Sequence, residues 1–219
     1  MIDWNNIDTV MLDLDGTLLD LHFDNHFWLN HVPDRFANKH GIDVEQAKQE
    51  LFLKYRAVEG SLDWYCVDYW SASLGLDIVQ MKHEVANKIS IRPQVIEFLQ
   101  SLQAHNMEVR LVTNAHEKAV QIKMKYTDLT THFDMIICSH EIGAPKEQTD
   151  FWKRFDTRHP FDASRTMLID DNLNVLRAAR EYGVPYLFAI SQPDSQQPER
   201  DVQEFPVIRS FDEIMPELQ

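Results

Sequence analysis

A parallel three-layer α/β/α sandwich, with a helical module inserted after its first strand, is the fold class this chain predicts. Three observations predict it. An apolar run near the N-terminus ends in acids, strand and helix patterns alternate from Arg92 onward, and the residues between them carry helical periodicity alone. Strands that alternate with helices imply right-handed crossovers, and so a mainly parallel sheet covered on both faces.

The first element is Thr9-Val10-Met11-Leu12-Asp13-Leu14, which reads as a buried parallel strand with polar groups at its carboxyl end and Gly16 just beyond. Residues 20–91 then break the rhythm. Helices are expected near Asn25–Lys39, Val44–Ala57, Leu62–Leu74 and Ile78–Lys88, with no convincing strand among them. A helical block at this place predicts a cap over the carboxyl edge of the sheet. The expected division is a core of residues 1–19 and 92–219 and a cap of residues 20–91.

Pro93 opens the next expected helix, with Val95, Phe98, Leu99 and Leu102 on one face through about Gln103. The strand Val109–Thr113 follows, then a helix after Asn114 and the strand Phe133–Cys138. A helix after Lys146 leads to the strand Thr166–Asp170. The helix from about Asn172 to Tyr182 stops at Gly183, and Tyr186–Ile190 forms a further strand. The polar stretch Ser191–Glu204, with Pro193 and Pro198, reads as a surface excursion.

Composition narrows the function classes. The 219 residues are 44% hydrophobic and 26% charged, as in an ordinary soluble globular protein. No apolar stretch approaches the roughly 20 residues needed to cross a bilayer. The start, Met1-Ile2-Asp3-Trp4, lacks the basic flank and apolar run of a signal peptide, so a cytoplasmic protein without a membrane partner is expected. A net charge of −14 repels polynucleotide backbones but leaves a small anionic substrate open, because a bound cation and one lysine reverse the potential locally. The two cysteines, Cys66 and Cys138, lack CxxC spacing and read as small buried hydrophobes. His22 and His26 stand at i, i+4 without a third ligand, so they make no metal site.

In an open α/β sheet, ligands bind beyond the carboxyl ends of the strands, near the point where strand order reverses. The chain brings chemically matched residues to that edge. Asp13 and Asp15 end the first strand, Thr113 and Asn114 the second, Lys146 follows the third, and Asp170-Asp171 end the fourth. Asp13 is placed to attack phosphorus and form an aspartyl-phosphate, and Asp15 to protonate the leaving oxygen and then take a proton from water. Two carboxylates facing a phosphate dianion need a cation between them. Magnesium suits this, with Asp13, the backbone carbonyl of Asp15 and Asp170 as ligands and Asp171 supporting that shell. Thr113 can donate its hydroxyl to phosphate. Asn114 and Glu117 have capping-box spacing, which would aim free N–H groups at the site. Lys146 is expected at a helix start, a position that suits a cation only beside an anion.

The runs Asp13-Leu14-Asp15-Gly16-Thr17, Leu111-Val112-Thr113-Asn114, Lys146 and Ile169-Asp170-Asp171-Asn172 resemble the haloacid dehalogenase-like hydrolase superfamily across the whole core. One departure is Asn174, where many members carry an acid; the adjacent Asp171 is a known variant. The resemblance is closer to the bacterial GMP/IMP nucleotidase branch. It is carried there by Leu18-Leu19-Asp20-Leu21, Phe23-Asp24-Asn25, the run from Leu62 to Trp70, Thr113-Asn114-Ala115-His116 and Pro145-Lys146-Glu147. That likeness implies a magnesium-dependent phosphatase acting on a purine nucleoside 5′-monophosphate, GMP or IMP. Of the cap aromatics Trp64, Tyr65, Tyr69 and Trp70, one would stack on the purine, while Asp68 or Asp24 would read a base edge or ribose hydroxyl. Two alternatives stand beside this reading: a phosphatase or mutase for a small sugar or acid phosphate such as phosphoglycolate, and a non-catalytic phospho-ligand sensor.

Overall fold

The computed structural model describes residues 2–216. Six parallel strands form one sheet: β1 (Thr9–Leu12), β2 (Glu108–Thr113), β3 (Met135–Cys138), β4 (Thr166–Asp170), β5 (Tyr186–Ile190) and β6 (Val207–Ile208). Their order is β3-β2-β1-β4-β5-β6, so the direction of winding reverses between β1 and β4. Leu12 of β1 pairs with Leu111 on one side and Ile169 on the other, which sets Asp13 beside the end of β4.

Strand alternation sends side chains to two cores. Val10, Leu12, Val109, Leu111, Met167 and Ile169 face one side, where they meet Phe98 and Leu102 of α7 (Val95–Ala104) and Val120 and Met124 of α8 (Glu117–Thr127). Met11, Val112 and Leu168 face the other, against Phe151, Trp152 and Phe155 of α10 (Thr149–Arg158) and Leu176 and Ala179 of α11 (Leu173–Tyr182). Strands covered on both faces are the reason these segments read as unbroken apolar runs. A short helix, α9 (Ser139–Ile142), directly follows β3.

Between β1 and α7 the structure has no strand longer than an isolated bridge. Its helices are α1 (His22–His26), a π-helical turn (Phe27–His31), α2 (Val32–His40), α3 (Val44–Val58), α4 (Leu62–Tyr65), α5 (Val67–Leu74) and α6 (Ile78–Glu84). Their apolar faces make a third core around Phe23, Phe27, Phe36, Leu51, Trp70 and Ile78. The first helix therefore begins at His22 rather than Asn25. Its π turn lies just before Pro33, which has no N–H to donate and whose ring crowds the preceding turn. The expected helix over 62–74 breaks at Cys66, which is extended and whose sulfur accepts the N–H of Tyr69.

Two other expectations change. Gln94 adopts a left-handed conformation (φ 63°), so α7 starts at Val95 and Pro93 belongs to the turn before it. Ser191–Glu204 is a loop, but its first residues are buried. The Pro193 carbonyl accepts the N–H of Leu21, Asp194 accepts from Asn25, and Arg92 donates to the Gln192 carbonyl. This loop clasps the chain where it leaves and rejoins the sheet. Strand β6, two residues long, is too short to have shown a period.

A buried charge cluster joins the inserted helices to the sheet. Asp24 of α1 accepts from Lys82 of α6 at 3.0 Å and from Lys123 of α8 at 2.6 Å, and both lysines are almost fully buried. Burial disfavours the Asp24 charge, yet Lys123 and Lys82 outweigh it and hold the carboxyl at about 2. Lys123→Met keeps the volume but strips one of the two counter-charges from Asp24. It is expected to cost about 3–5 kcal/mol in urea unfolding of the full chain.

Candidate active site

The carboxyl edge at the winding reversal carries three strand-end acids around one ammonium. Lys146, 1% exposed, donates to Asp13 Oδ1 at 2.6 Å, Asp170 Oδ2 at 2.7 Å and the Val112 carbonyl at 2.8 Å. All three of its protons are thus placed, and β1, β2 and β4 are tied at one point. Burial opposes its charge, but Asp13 and Asp170 outweigh burial and hold the ammonium above its ordinary range. It lies in the loop before α10, whose N-cap is Gln148, so its setting comes from these acids and not from a helix terminus as expected.

Asp13 is itself pushed up to about 6, by burial first and by Asp170, with Lys146 opposing. Asp171 is driven well above the carboxylate range by burial and by the charges of Asp170 and Asp13. Asp170 is raised by burial too, and its Oδ1 accepts the N–H of Asn172, the N-cap of α11. One lysine therefore does not neutralise this group. Carboxylate oxygens of Asp13, Asp170 and Asp171 lie within 4.8 Å of one another. An all-oxygen donor set whose members repel each other fits a hard divalent cation such as magnesium. The Asp171 carboxylate, expected to support the metal shell, is a member of this group.

Asp15 turns away from Asp13. Its Oδ2 meets Lys123 Nζ at 2.6 Å, while its Oδ1 is buried with no hydrogen-bond partner. Burial, and then the charge of Asp24, raise it to about 6 against the pull of Lys123. The turn between the acids and Thr17 needs Gly16 (φ 87°): a Cβ there would stand 2.9 Å from the Asp171 carboxyl carbon. The Thr17 hydroxyl is also buried without a hydrogen-bond partner.

The structure places Thr113 in the floor, where its Oγ1 accepts from Ala115 N–H and leaves its own proton free to donate. Asn114 is not a helix cap. Its Oδ1 accepts the Lys146 N–H and its Nδ2 donates to Glu147, while His116 caps α8. Helix α8 starts only at Glu117, too late for the capping box expected from Asn114. Glu147 also accepts from the Tyr65 hydroxyl at 3.0 Å, so a chain of contacts runs from the inserted helices through Glu147 and Asn114 to Lys146.

A cavity of about 690 Å³ opens above these residues. Asp13, Asp15, Asp24, Thr113, Asn114, Lys146, Asp170 and Asp171 line it, together with the aromatic residues Trp28, Tyr55, Trp64, Tyr65 and Trp70. The aromatic rings pack edge to face, with Tyr55 5.0 Å from Trp70 and 6.1 Å from Trp64. Two expected residues are not among the lining. Asp68 is half exposed and paired with Lys118, and Tyr69 stands edge-on to Trp70. Asp24 reaches the cavity, but the two lysines engage both its oxygens, which leaves it poorly suited to read a base edge or ribose. Lys82, Lys123, Glu147, Trp28, Tyr55 and Arg200 were missed. The lysines had a signal: Lys123 falls four residues after Ala119 and Lys82 four after Ile78, each on a buried helical face. Arg200, on the loop after β5, had none.

An open parallel sheet, helices inserted after β1 and acids crowded at the winding reversal are the parts of a hydrolase built on a three-layer α/β/α core. The chain belongs to the haloacid dehalogenase-like hydrolase family, whose sequence profile matches residues 10–189, and it is a phosphatase. It is similar to the GMP/IMP nucleotidase YrfG of Escherichia coli (strain K12), with 38% identity over 217 residues, 99% of this chain and 98% of that one. The YrfG of Shigella flexneri matches equally. In fold it is similar to a HAD phosphatase from Thermococcus onnurineus (TM-score 0.78, 20% identity, 95% of this chain and 96% of that one). It also resembles CbbY from Rhodobacter sphaeroides, solved in complex with phosphate (TM-score 0.66, 14% identity, 95% and 96% covered).

The raised Asp13 gives a stability test whose sign is fixed. Between the model-peptide value of 3.8 and about 6, the folded state holds a proton that the unfolded state has lost. Stability from this group is therefore full below 3.8 and is lost as pH rises through about 6. In chelator-treated protein, Asp13→Asn is expected to raise the melting temperature at neutral pH and to leave it unchanged near pH 4. Saturating magnesium is expected to stabilise the wild type more than the variant.

Proposed function

We propose that the protein is a magnesium-dependent 5′-nucleotidase for purine nucleoside monophosphates, GMP and IMP foremost, with residues 20–91 as its cap and residues 1–19 and 92–219 as its catalytic core. The observation that carries this reading is a single cavity lined by both acids and aromatic side chains. Its acids, with a cation, suit a phosphate and its aromatic residues suit a flat heterocycle, and both line one space. A sugar or acid phosphate has no aromatic face to set against Trp28, Tyr55, Trp64 or Trp70. The full-length similarity to GMP/IMP nucleotidases supports the same substrate class.

In this mechanism Asp13 attacks phosphorus as the phosphate ester lies against Thr113 and Lys146. The P–O bond to the nucleoside breaks, and Asp15 gives its proton to the departing 5′-oxygen, leaving a free nucleoside and an aspartyl-phosphate on Asp13. Asp15, now a carboxylate, takes a proton from water as that water attacks phosphorus. Asp13 is restored and inorganic phosphate leaves. A carboxyl raised to about 6 suits both halves, since it can hold and release a proton near neutrality. Asp13, the Asp15 carbonyl, Asp170 and Asp171 would hold the magnesium, which supplies the positive charge that lets a phosphate dianion approach an anionic nucleophile. Lys123 sets the Asp15 carboxyl and shields it from Asp24. Asn114 and Glu147 position Lys146 and carry the contact to Tyr65.

Two measurements test this. In a phosphate-ester panel with magnesium, GMP and IMP are expected to lead. Phosphoglycolate or a hexose phosphate exceeding every nucleotide about tenfold in kcat/KM, a difference near 1.4 kcal/mol, overturns the substrate class. Asp13→Asn is expected to remove turnover of every ester with the circular dichroism spectrum unchanged; activity near wild type overturns the nucleophile.

A further inference from the structure

A second cluster of ligating groups stands apart from the acids. Cys66, His116 and His140 bring a sulfur and one ring nitrogen each within 4.8 Å of one another. The histidine rings meet edge to face, centroids 4.8 Å apart at 78°. The three residues come from opposite sides of one contact: Cys66 lies between α4 and α5 of the insertion, His116 caps α8, and His140 sits in α9 at the end of β3.

The cluster is not satisfied as it stands. Both ring nitrogens of His140 are buried with no well-formed hydrogen bond, the backbone of Leu62 being the polar group that approaches them. His116 Nδ1 accepts the Lys118 N–H in a long contact of 3.3 Å, which makes it the unprotonated nitrogen, and its Nε2 faces Asp68 Oδ2 at 4.0 Å. Burial first, against the pull of nearby acids, holds both imidazoles below their ordinary range. They are therefore neutral at physiological pH, the form that donates to a metal. Asp68 and Glu117 around His116, and Asp63 and Glu117 around His140, make the surroundings negative, with Lys118 opposing at His116.

We propose that Cys66, His116 and His140 form a binding site for a borderline-soft divalent cation of the zinc class, and that the bound ion clamps the inserted helices to the sheet domain and slows turnover. One thiolate and two imidazoles are the donors such an ion prefers, whereas magnesium takes oxygen, so the two sites sort cations by ligand chemistry. On binding, the Cys66 thiol gives its proton to solvent and the sulfur bonds the ion, with water in the fourth position. Bonds of about 2.0–2.3 Å draw the donor atoms together by roughly an ångström, within the reach of side-chain rotation. His116 would exchange its weak contact with Lys118 N–H for the metal, freeing a first-turn amide of the kind helices commonly leave to water. Its other nitrogen then donates toward Asp68, the carboxylate support usual behind a ligating histidine. His116 lines the cavity and Cys66 adjoins Tyr65, which lines it too, so the clamp would restrain the inserted helices beside the site and slow any opening that turnover needs.

The proposal is independent of the nucleotide reading, because its first readout is metal binding. Reduced, chelator-treated full-length protein is titrated with cobalt(II) and then zinc. Expected are one tight equivalent of cobalt, a thiolate-to-cobalt charge-transfer band, and loss of that band on adding zinc. Cys66→Ser should abolish the band and Cys138→Ser should keep it. His140→Ala should weaken cobalt binding by about 100-fold and, if Cys66→Ser fails to fold, decides in its place. Equimolar zinc should slow magnesium-supported p-nitrophenyl phosphate hydrolysis by about tenfold in the wild type, but not in Cys66→Ser or His140→Ala. Absence of the band, or its survival in Cys66→Ser, overturns the site. Zinc inhibition equal in all variants, or a band without inhibition, overturns the clamp.

Discussion

Three strands end in acids or carbonyls that must share one small volume, and Lys146 is what allows it. Its ammonium is buried and fully coordinated by Asp13, Asp170 and the Val112 carbonyl. Without a cation there, the ends of β1 and β4 would carry like charges side by side in a medium that screens them poorly. Lys123 does the same for the next pair, Asp15 and Asp24. The edge is thus two acid pairs, each closed by one lysine, and the lysines come from the loop after β3 and from α8.

These two lysines differ in what they leave over. Asp24 is held fully ionised, whereas Asp13, Asp15 and Asp171 remain raised by burial and mutual repulsion. Residual negative charge is concentrated on the side that faces the cavity, where a divalent ion and a phosphate ester would use it. The trio of Asp24, Lys82 and Lys123 lines the same cavity, but it fastens the inserted helices and its charges are engaged with one another. The same residue types at neighbouring positions therefore serve holding in one case and reactivity in the other.

The sheet and its acidic edge were legible because both leave short-range marks. Apolar runs ending in Asp13 or Asp170 need only their own few residues to be read. The aromatic wall was half legible: Trp64, Tyr65 and Trp70 lie close in sequence, but Trp28 and Tyr55 join them only through the packing of α3 against the first inserted helix and α5. Asn114 was misread for a similar reason. Its capping spacing was real, but the competing hydrogen bonds to Lys146 and Glu147 come from residues more than thirty positions away. Lys123 and Lys82 were visible as charges on apolar helix faces, though nothing local said which acid each would meet.

The contacts from Tyr65 through Glu147 and Asn114 to the Lys146 backbone have a consequence for timing. The inserted helices hold one end of that chain and the backbone N–H of Lys146 the other. Whatever moves the helices away from the sheet takes Tyr65 with it and leaves Glu147 with a single tether. The seating of the inserted helices and the hydrogen bonding around Glu147 are then set by the same event.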